Sequence, residues 1–205
     1  MNYKIAIGIT TFLRDNLLYK TIQTIVDSYT KDCIVLIADQ GYVDSEKDIT
    51  IDYYKSQIPL RYYPLAFDCG LGYARNYLVQ KAFEMNIPYC LVMSDSIQFT
   101  EVYNFEQLSN ILDNNTLISF GLAPFKDVFI AKTNTLLNLW DEELKIYEYK
   151  LAYFKYIKKD YKVVYNTNFI FKKVKSRSSE EYYSYSKRIK DYKKLSEQKL
   201  KELCT

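Results

Sequence analysis

The chain has 205 residues, of which 48% are hydrophobic and 26% are charged, and its formal net charge is +3. These proportions are typical of a soluble globular protein with a single core. The sequence contains no histidine, which excludes Ser-His-Asp and Cys-His catalysis and any imidazole ligand to a metal ion. Acid and base chemistry must therefore fall to carboxylates, tyrosines or lysines.

The first half of the chain alternates apolar, strand-like runs with segments of helical periodicity. The predicted strands are residues 3–9, 33–38, 60–65 and 89–93, and the predicted helices are residues 17–26, 53–57 and 75–85. Alternation of this kind predicts an α/β domain in which helices cover a mainly parallel sheet.

The second half of the chain continues the mixed pattern and ends in a basic extension. The predicted helices are residues 105–112 and 140–159, and the predicted strands are residues 117–122, 128–131, 161–165 and 168–171. We divide the chain into a domain at residues 1–171 and a helical extension at residues 172–205, which carries 11 Lys and Arg against 5 Asp and Glu. The extension either packs on the domain as a lysine-rich helix or meets an anionic partner.

The sequence predicts no membrane-spanning helix. No run approaches the roughly 20 consecutive apolar residues that such a helix requires. We therefore expect a cytoplasmic location.

Polar side chains follow three predicted strands at the point where each strand ends. They are Thr10, Thr11 and Arg14 after the first strand, Asp39 after the second, and Ser94, Asp95 and Ser96 after the strand at residues 89–93. Ligands bind at the carboxyl ends of the strands in open α/β sheets. We therefore expect these side chains to line a binding site.

The loop after the first strand suits a diphosphate. Thr10 and Thr11 offer hydroxyl groups, and the planar fork of Arg14 can bind a phosphate through two hydrogen bonds. The alternative is that the threonines cap the next helix and that Arg14 is an ordinary surface residue.

A glycine-bearing loop precedes the helix at residues 75–85. Gly70 and Gly72 would allow a ligand to approach the backbone closely, and Arg75 and Asn76 fall in the first turn, where a helix amino terminus attracts anions. The alternative is a tight turn that needs glycine for its conformation alone.

With these residues in place, the chain resembles the GT-A nucleotide-sugar glycosyltransferases of the family 2 type, and among them the β-1,4-N-acetylgalactosaminyltransferases. Four segments carry the resemblance in the order found in the family, and a fifth matches more weakly. They are ITTFLR (9–14), VLIADQ (35–40), GLGYARNYLVQKA (70–82), LVMSDSIQFT (91–100) and the weaker WDEELKIYEYKLAYF (140–154).

The resemblance implies a Rossmann-like GT-A fold and a site for a UDP-sugar. It implies that Asp39 accepts a hydrogen bond from the base and that Arg75 and Asn76 lie at the nucleotide-sugar pocket. The family's acidic DxD-like triplet, which holds the ribose and a Mn²⁺ or Mg²⁺ ion, matches Ser94, Asp95 and Ser96, so only the central acid is kept. Asp95 is then the candidate ribose contact and the one remaining candidate metal ligand, because serine hydroxyls bind such ions poorly.

The resemblance also implies a carboxylate that takes the proton of the acceptor hydroxyl. Glu148, in the fifth segment, is the first candidate, and Asp127 and Glu143 follow it. The alternative for Glu148 is a charge on an exposed helix face.

The predicted function is the transfer of a hexose or N-acetylhexosamine from a UDP-sugar to an acceptor hydroxyl, with inversion. One alternative is an enzyme whose acceptor is a modified base in DNA, in which case the basic extension and the 22 Tyr would contact nucleic acid. The other alternative is a protein that binds a nucleotide or glycan without turnover.

Overall fold

The structure is a computed structural model that describes residues 3–28, 31–100, 112, 116–120, 125–145, 148–166, 171–174 and 189–204. The strands in these residues are β1 (Ile5–Thr11), β2 (Cys33–Asp39), β3 (Leu60–Pro64), β4 (Tyr89–Ser94), β5 (Ile97–Phe99), β6 (Thr116–Ser119), β7 (Val128–Lys132), β8 (Lys162–Tyr165) and β9 (Phe171–Lys173). The α-helices are α1 (Asp15–Asp27), α2 (Ser45–Gln57), α3 (Leu71–Glu84), α4 (Glu148–Ile157) and α5 (Ile189–Cys204), and a short 3-10 helix spans Thr133–Leu136.

Seven of the strands form one twisted sheet in the order β3-β2-β1-β4-β7-β6-β8. β1 pairs in parallel with β2 and β4, and β2 pairs in parallel with β3. β7 is antiparallel to both of its neighbours, β4 and β6. The prediction of an α/β domain with a mainly parallel sheet between helices is thereby confirmed.

Helices cover both faces of the sheet, which is why its central strands carry continuous apolar runs. On one face, residues such as Ile7 pack in a cluster with Leu18 of α1. On the other face, residues such as Leu36 pack in a cluster with Leu78 of α3. Each fully buried side chain of this kind contributes about 1.5–3 kcal/mol. The two clusters hold the strand ends, and therefore the loops that follow them, in fixed positions.

The helix α2 is longer than the sequence predicted. It begins at Ser45 rather than at residue 53, and the Asp44 side chain accepts a hydrogen bond from the Lys47 backbone N–H at 2.8 Å. This is the hydrogen bond of an N-cap residue. The polar composition of residues 44–52 reflects an exposed helix face and not a turn-rich loop.

The predicted helix at residues 140–159 is shorter than expected, because α4 begins only at Glu148. The backbone N–H of Trp140 donates to the side chain of Asn76, and the Lys145 carbonyl accepts from the Leu71 N–H. These backbone groups are therefore satisfied by α3 and not by a helix of their own. Residues 141–145 form turns that lie against the amino end of α3.

Several predicted boundaries fall close to residues that the structure does not describe. The predicted helix at residues 105–112 lies outside the described residues except for Leu112. The predicted strand at residues 117–122 corresponds to β6, which ends at Ser119. The predicted strand at residues 168–171 overlaps β9 at Phe171.

The basic helix predicted near the carboxyl end is present as α5. Lys199 of α5 forms ion pairs with Asp141 and Glu143, and Lys158, beyond the end of α4, donates to the Leu203 carbonyl. The boundary proposed between residues 171 and 172 falls inside β9, which pairs with β5. The division into two units stays a prediction. Across the described parts of the chain, the helices are too short or too polar to cross a bilayer.

Candidate active site at the carboxyl edge of the sheet

The register of the sheet gathers the polar strand ends at one edge. Thr11 at the end of β1 lies opposite Asp39 at the end of β2, and Thr10 lies opposite Ser94 at the end of β4. Asp95 directly follows β4. The expectation that these side chains lie together is therefore met.

Asp95 is the buried centre of this edge. Its carboxylate forms an ion pair with the guanidinium of Arg14 and accepts a hydrogen bond from the Thr11 hydroxyl at 2.8 Å. Its backbone carbonyl accepts a hydrogen bond from the Thr21 hydroxyl of α1 at 2.7 Å. The Asp95 side chain is 0% exposed and the Arg14 side chain is 21% exposed, so the pair presents its cation, and not its anion, to solvent.

The two threonines of β1 do not cap the helix that follows. The N-cap residue of α1 is Arg14, whose side chain makes no capping hydrogen bond. Thr11 bonds to Asp95 instead, and the Thr10 hydroxyl is buried without a hydrogen-bond partner among the described residues. The helix-cap alternative for these threonines is therefore wrong.

Burial dominates the titration of Asp95. It raises the pKa of the carboxyl to about 6, while the charge of Arg14 and the Thr11 hydrogen bond act in the opposite direction. The ionised form at neutral pH thus depends on Arg14, because a buried carboxylate is stable only beside a compensating charge.

The chemistry of this donor set does not fit a divalent metal ion. The hydroxyls of Ser94 and Ser96 lie 2.8 Å apart and share a hydrogen bond. Asp95 is the one carboxylate of the triplet, and it is already paired with Arg14. Within the described parts of the chain, no group of three or more Cys, Asp or Glu side chains is arranged to hold a metal.

Asp39 is buried beneath the loop that follows β2. Its carboxylate accepts hydrogen bonds from the Gly41 N–H at 2.7 Å, the Lys47 ammonium at 2.9 Å and the Tyr62 hydroxyl at 2.8 Å. The pKa of Lys47 is raised because its contacts with Asp15 and Asp39 outweigh the effect of burial. The Asp39 side chain is 0% exposed, and these contacts engage both of its oxygens.

An aromatic cluster lies beside the same edge. Phe12, Tyr42 and Phe67 follow β1, β2 and β3 respectively, and the Phe67 ring lies 5.3 Å from Phe12 and 4.6 Å from Tyr42 between centroids. Tyr42 is 61% exposed and Phe67 is 48% exposed. These two rings offer a flat apolar surface to a ligand.

Asp127 lies at the same edge and stands outside the buried core. Val128 pairs with Met93, so Asp127, which precedes it, lies beside the end of β4. Its carboxylate forms an ion pair with Lys173 of β9 at 2.5 Å, and the Val174 N–H after β9 donates to the Ser96 carbonyl. β9 thereby brings a lysine next to the serine and aspartate triplet.

Arg75 and Glu148 lie on the opposite face of the sheet, in contact with each other. The two groups are 2.5 Å apart, and each side chain is only 1% exposed. Arg75 also donates to the carbonyls of Phe125 and Lys126. Burial raises the pKa of Glu148, although Arg75 opposes this shift. The alternative of an exposed helix charge for Glu148 is wrong.

The glycine-bearing loop contacts the chain's own backbone. Gly70 has a φ of +99°, and a Cβ added to Gly72 would lie 2.2 Å from the Asp141 carbonyl oxygen. The Leu71 N–H donates to the Lys145 carbonyl, so the amino end of α3 is not open to an anion as expected. Asn76 bonds to the Trp140 backbone through both atoms of its amide. This loop and the first turn of α3 therefore hold residues 140–145 in place.

The sequence interpretation missed three residues of this edge. Lys47 and Tyr62 hold Asp39, and Thr21 holds the Asp95 backbone. Asp44 is of a residue type that favours the N-cap position, which would have placed Lys47 in the first turn of a helix. The other two contacts join distant parts of the chain, and no local pattern marks them.

The sheet order, with its antiparallel β7, and the ligand edge at the ends of β1, β2 and β4 are those of a GT-A glycosyltransferase fold. The sequence profile of the family described as "Glycosyl transferase family 2" matches residues 6–177. The chain therefore belongs to glycosyl transferase family 2.

Solved structures with the same fold share little sequence with this chain. TarS from S. aureus has a TM-score of 0.64 at 15% identity, over 82% of this chain and 36% of that one. TarS 1-349 in complex with UDP-GlcNAc has a TM-score of 0.66 at 14% identity, over 86% and 60%. The mannosyltransferase PcManGT from Pyrobaculum calidifontis, in complex with GDP-Man and Mn²⁺, has a TM-score of 0.66 at 11% identity, over 86% and 59%.

The chain thus spans between 36% and 60% of the length of these structures. A comparison with curated protein sequences finds no match. The particular likeness to β-1,4-N-acetylgalactosaminyltransferases stays a prediction.

Proposed function

We propose that this chain transfers a hexose or N-acetylhexosamine from a nucleotide-sugar, most simply a UDP-sugar, to an acceptor hydroxyl with inversion. The observation that carries the proposal is the partly exposed Arg14, held on buried Asp95 at the ligand edge of a family 2 domain. TarS and PcManGT, which share the fold, were solved with UDP-GlcNAc and GDP-Man respectively.

The donor diphosphate binds at Arg14 in this proposal. Asp95 and the N-cap position fix the guanidinium at the start of α1, so that it is oriented before the ligand arrives. A charge-assisted contact from an oriented cation stabilises the negative charge that develops on the leaving nucleoside diphosphate. Lys173, which is half exposed, stands at the same edge and adds a second positive charge.

The nucleobase stacks on the exposed rings of Tyr42 and Phe67. The internal hydrogen bonds of Asp39 favour a supporting role for this residue, which fixes the loop that carries Tyr42. A stacked aromatic face contributes binding without strict base selection. We therefore expect the protein to accept more than one nucleotide and to obtain its selectivity from the sugar and the acceptor.

Asp127 is the candidate base, ahead of Glu148. It lies at the ligand edge and is partly exposed, whereas Glu148 is buried on the other face with Arg75. The Asp127 carboxylate takes the proton of the acceptor hydroxyl while the acceptor oxygen bonds to the anomeric carbon. The bond from that carbon to the diphosphate oxygen breaks, and the nucleoside diphosphate leaves with the electron pair. One such displacement inverts the anomeric configuration.

A matched pair of aspartate variants tests this role. Asp32, like Asp127, forms an ion pair with a lysine, but it precedes β2 and so lies at the opposite edge of the sheet. With UDP-sugars as donors and a panel of p-nitrophenyl glycosides as acceptors, Asp127→Asn should lower the transfer rate by about 10²–10⁴-fold. Its affinity for the donor should stay within about twofold of the wild-type value, and Asp32→Asn should change neither quantity.

Equal transfer by Asp127→Asn and wild type would rule out Asp127 as the base. Tight donor binding by the wild type with no transfer and no donor hydrolysis would favour a binding protein without turnover. The alternative of a DNA acceptor stays a prediction, and the Lys199 ion pairs with Asp141 and Glu143 reduce the free positive charge that α5 offers to it.

A further inference from the structure

We infer that this chain binds the donor diphosphate without a divalent metal ion, because the Arg14 guanidinium holds the cation position beside Asp95. The inference rests on the proposed function and concerns the same site. It separates this chain from PcManGT, whose structure contains Mn²⁺ with its donor.

The donor atoms at the end of β4 suit a guanidinium better than a metal ion. Mg²⁺ and Mn²⁺ prefer carboxylate oxygens, and a neutral serine hydroxyl is a weak substitute. Ser94 and Ser96 flank the single carboxylate of Asp95, and their hydroxyls bond to each other. A metal ion here would gain one carboxylate and would have to break the hydrogen bond between the serines.

Both oxygens of the Asp95 carboxylate are in contact with other side chains of the protein. One oxygen is paired with Arg14 and the other accepts from Thr11, while the whole side chain is buried. A divalent ion on this carboxylate would stand within a few ångströms of the guanidinium, and two cations at that distance repel strongly in a buried site. Binding a metal therefore requires that Arg14 move away, which would break its ion pair with the buried Asp95 carboxylate.

Two other carboxylates that the structure describes at this edge are engaged by donors of the protein itself. Asp39 accepts three hydrogen bonds from Gly41, Lys47 and Tyr62. Asp127 is paired with Lys173. Both acids near the triplet are thus matched with lysines, so the edge is arranged as cation and carboxylate pairs.

Arg14 can serve Asp95 and a diphosphate at the same time. A guanidinium has five N–H donors in one plane and stays protonated at any physiological pH. One terminal nitrogen lies on Asp95 and the side chain is 21% exposed, so we expect a diphosphate at this edge to reach the guanidinium. The arginine thus supplies a fixed positive charge where a metal-dependent enzyme uses its ion.

The first test is calorimetric titration of the wild-type protein with UDP and with GDP, in EDTA and in excess Mn²⁺. We expect the dissociation constant to change by less than about twofold between the two conditions. The electron paramagnetic resonance signal of free Mn²⁺, recorded with protein and UDP, should match that of UDP alone. Nucleotide binding that requires Mn²⁺, or Mn²⁺ that is taken up by the protein, would overturn the inference.

The second test replaces the arginine. Arg14→Gln should weaken nucleotide binding by at least about tenfold, and Arg14→Lys should recover part of the loss because it restores the charge without the fork. Arg61→Gln, at an exposed arginine of β3, is the matched control and should bind as the wild type does. Wild-type affinity in Arg14→Gln would overturn the inference. If Arg14→Gln does not fold, Arg14→Lys and the wild-type titrations still decide.

The two proposals fail in different ways. Nucleotide binding that depends on Mn²⁺ contradicts this inference and leaves the glycosyltransferase proposal standing. No binding of UDP or GDP in either condition contradicts the proposed function, and this inference with it.

Discussion

The two faces of the sheet each carry a buried carboxylate paired with an arginine, and the two pairs differ in one decisive respect. In the Arg14–Asp95 pair the cation is 21% exposed at the ligand edge, whereas both members of the Arg75–Glu148 pair are 1% exposed. We therefore propose that the first arginine serves a ligand and that the second supports the fold. In this proposal, exposure of the cation separates a binding site from a packing contact.

The partners of the two arginines support the same distinction. Arg75 donates to the carbonyls of Phe125 and Lys126 as well as to Glu148, and its guanidinium carbon lies 5.8 Å from the ring centres of Phe129 and Trp140. It therefore ties the chain before β7 to α4 across a cluster of aromatic residues. Arg14 pairs with the Asp95 carboxylate, and its side chain is 21% exposed.

The largest effect should come from breaking the buried Arg75–Glu148 pair. Arg75→Met leaves Glu148 buried without its partner, and the loss of one member of a buried pair costs about 3–5 kcal/mol. The double variant Arg75→Met/Glu148→Leu removes both charges and should recover most of that loss. Urea unfolding of the wild type and the two variants measures the difference.

An Arg75→Met variant as stable as the wild type would show that the pair does not support the fold. A double variant no more stable than the single one would show that the loss arises from packing around Arg75 and not from the unpaired charge.

The next effect tests how α3 holds residues 140–145. In Gly72→Ala the added Cβ would lie 2.2 Å from the Asp141 carbonyl oxygen. Overpacking of this kind lowers the free energy of unfolding by about 1–3 kcal/mol. Gly8→Ala is the matched control, since its nearest contact would be the flexible end of Leu78 at 3.4 Å. Thermal unfolding should show a clear loss for Gly72→Ala and a smaller one for Gly8→Ala. Equal losses would contradict the close contact.

The third effect is the pH dependence that the Asp95 carboxyl of the Arg14–Asp95 pair gives to the free energy of unfolding. The folded protein holds the Asp95 proton more tightly than the unfolded chain does, because burial raises the pKa from 3.8 to about 6. The contribution of Asp95 to the free energy of unfolding is therefore greatest below the unfolded pKa and is lost as the pH rises through about 6. Between about pH 4.5 and about pH 7.5 it should fall by about 2 kcal/mol.

The Asp95→Asn variant isolates the contribution of Asp95 to the free energy of unfolding, because asparagine cannot titrate. The unfolding free energy of the wild type minus that of Asp95→Asn should decrease with pH over this range. A difference that stays constant, or that increases, would show that the pKa of Asp95 is not raised.

The sequence predicted the sheet well, since it rests on local pattern. Continuous apolar runs marked β1, β2 and β4, and the polar residues that follow them predicted which side chains gather at the carboxyl edge of the sheet. The error at residues 140–145 has a physical cause: the backbone groups of Trp140 and Lys145 bond to Asn76 and Leu71, which lie about 70 positions earlier. No local propensity reports such a contact.

The same reason explains why the sequence did not predict the contacts of individual site residues. Arg75 and Glu148 belong to segments that resemble the family, yet only the folded chain shows that they form a buried ion pair with each other. Asp39 follows a strand as a ligand-binding residue would, and three donors of its own chain satisfy it. Sequence reveals which side chains reach an edge, while their partners depend on packing.

The central claim is that one arginine pair binds the nucleotide and the other supports the fold. The measurement that tests it most directly is the affinity for UDP of two matched double variants, Arg14→Gln/Asp95→Asn and Arg75→Met/Glu148→Leu, each confirmed to be folded by circular dichroism. We predict that the first variant loses UDP binding by at least about tenfold, while the second binds UDP within about twofold of the wild type. Retained binding in the first variant together with lost binding in the second would contradict the account.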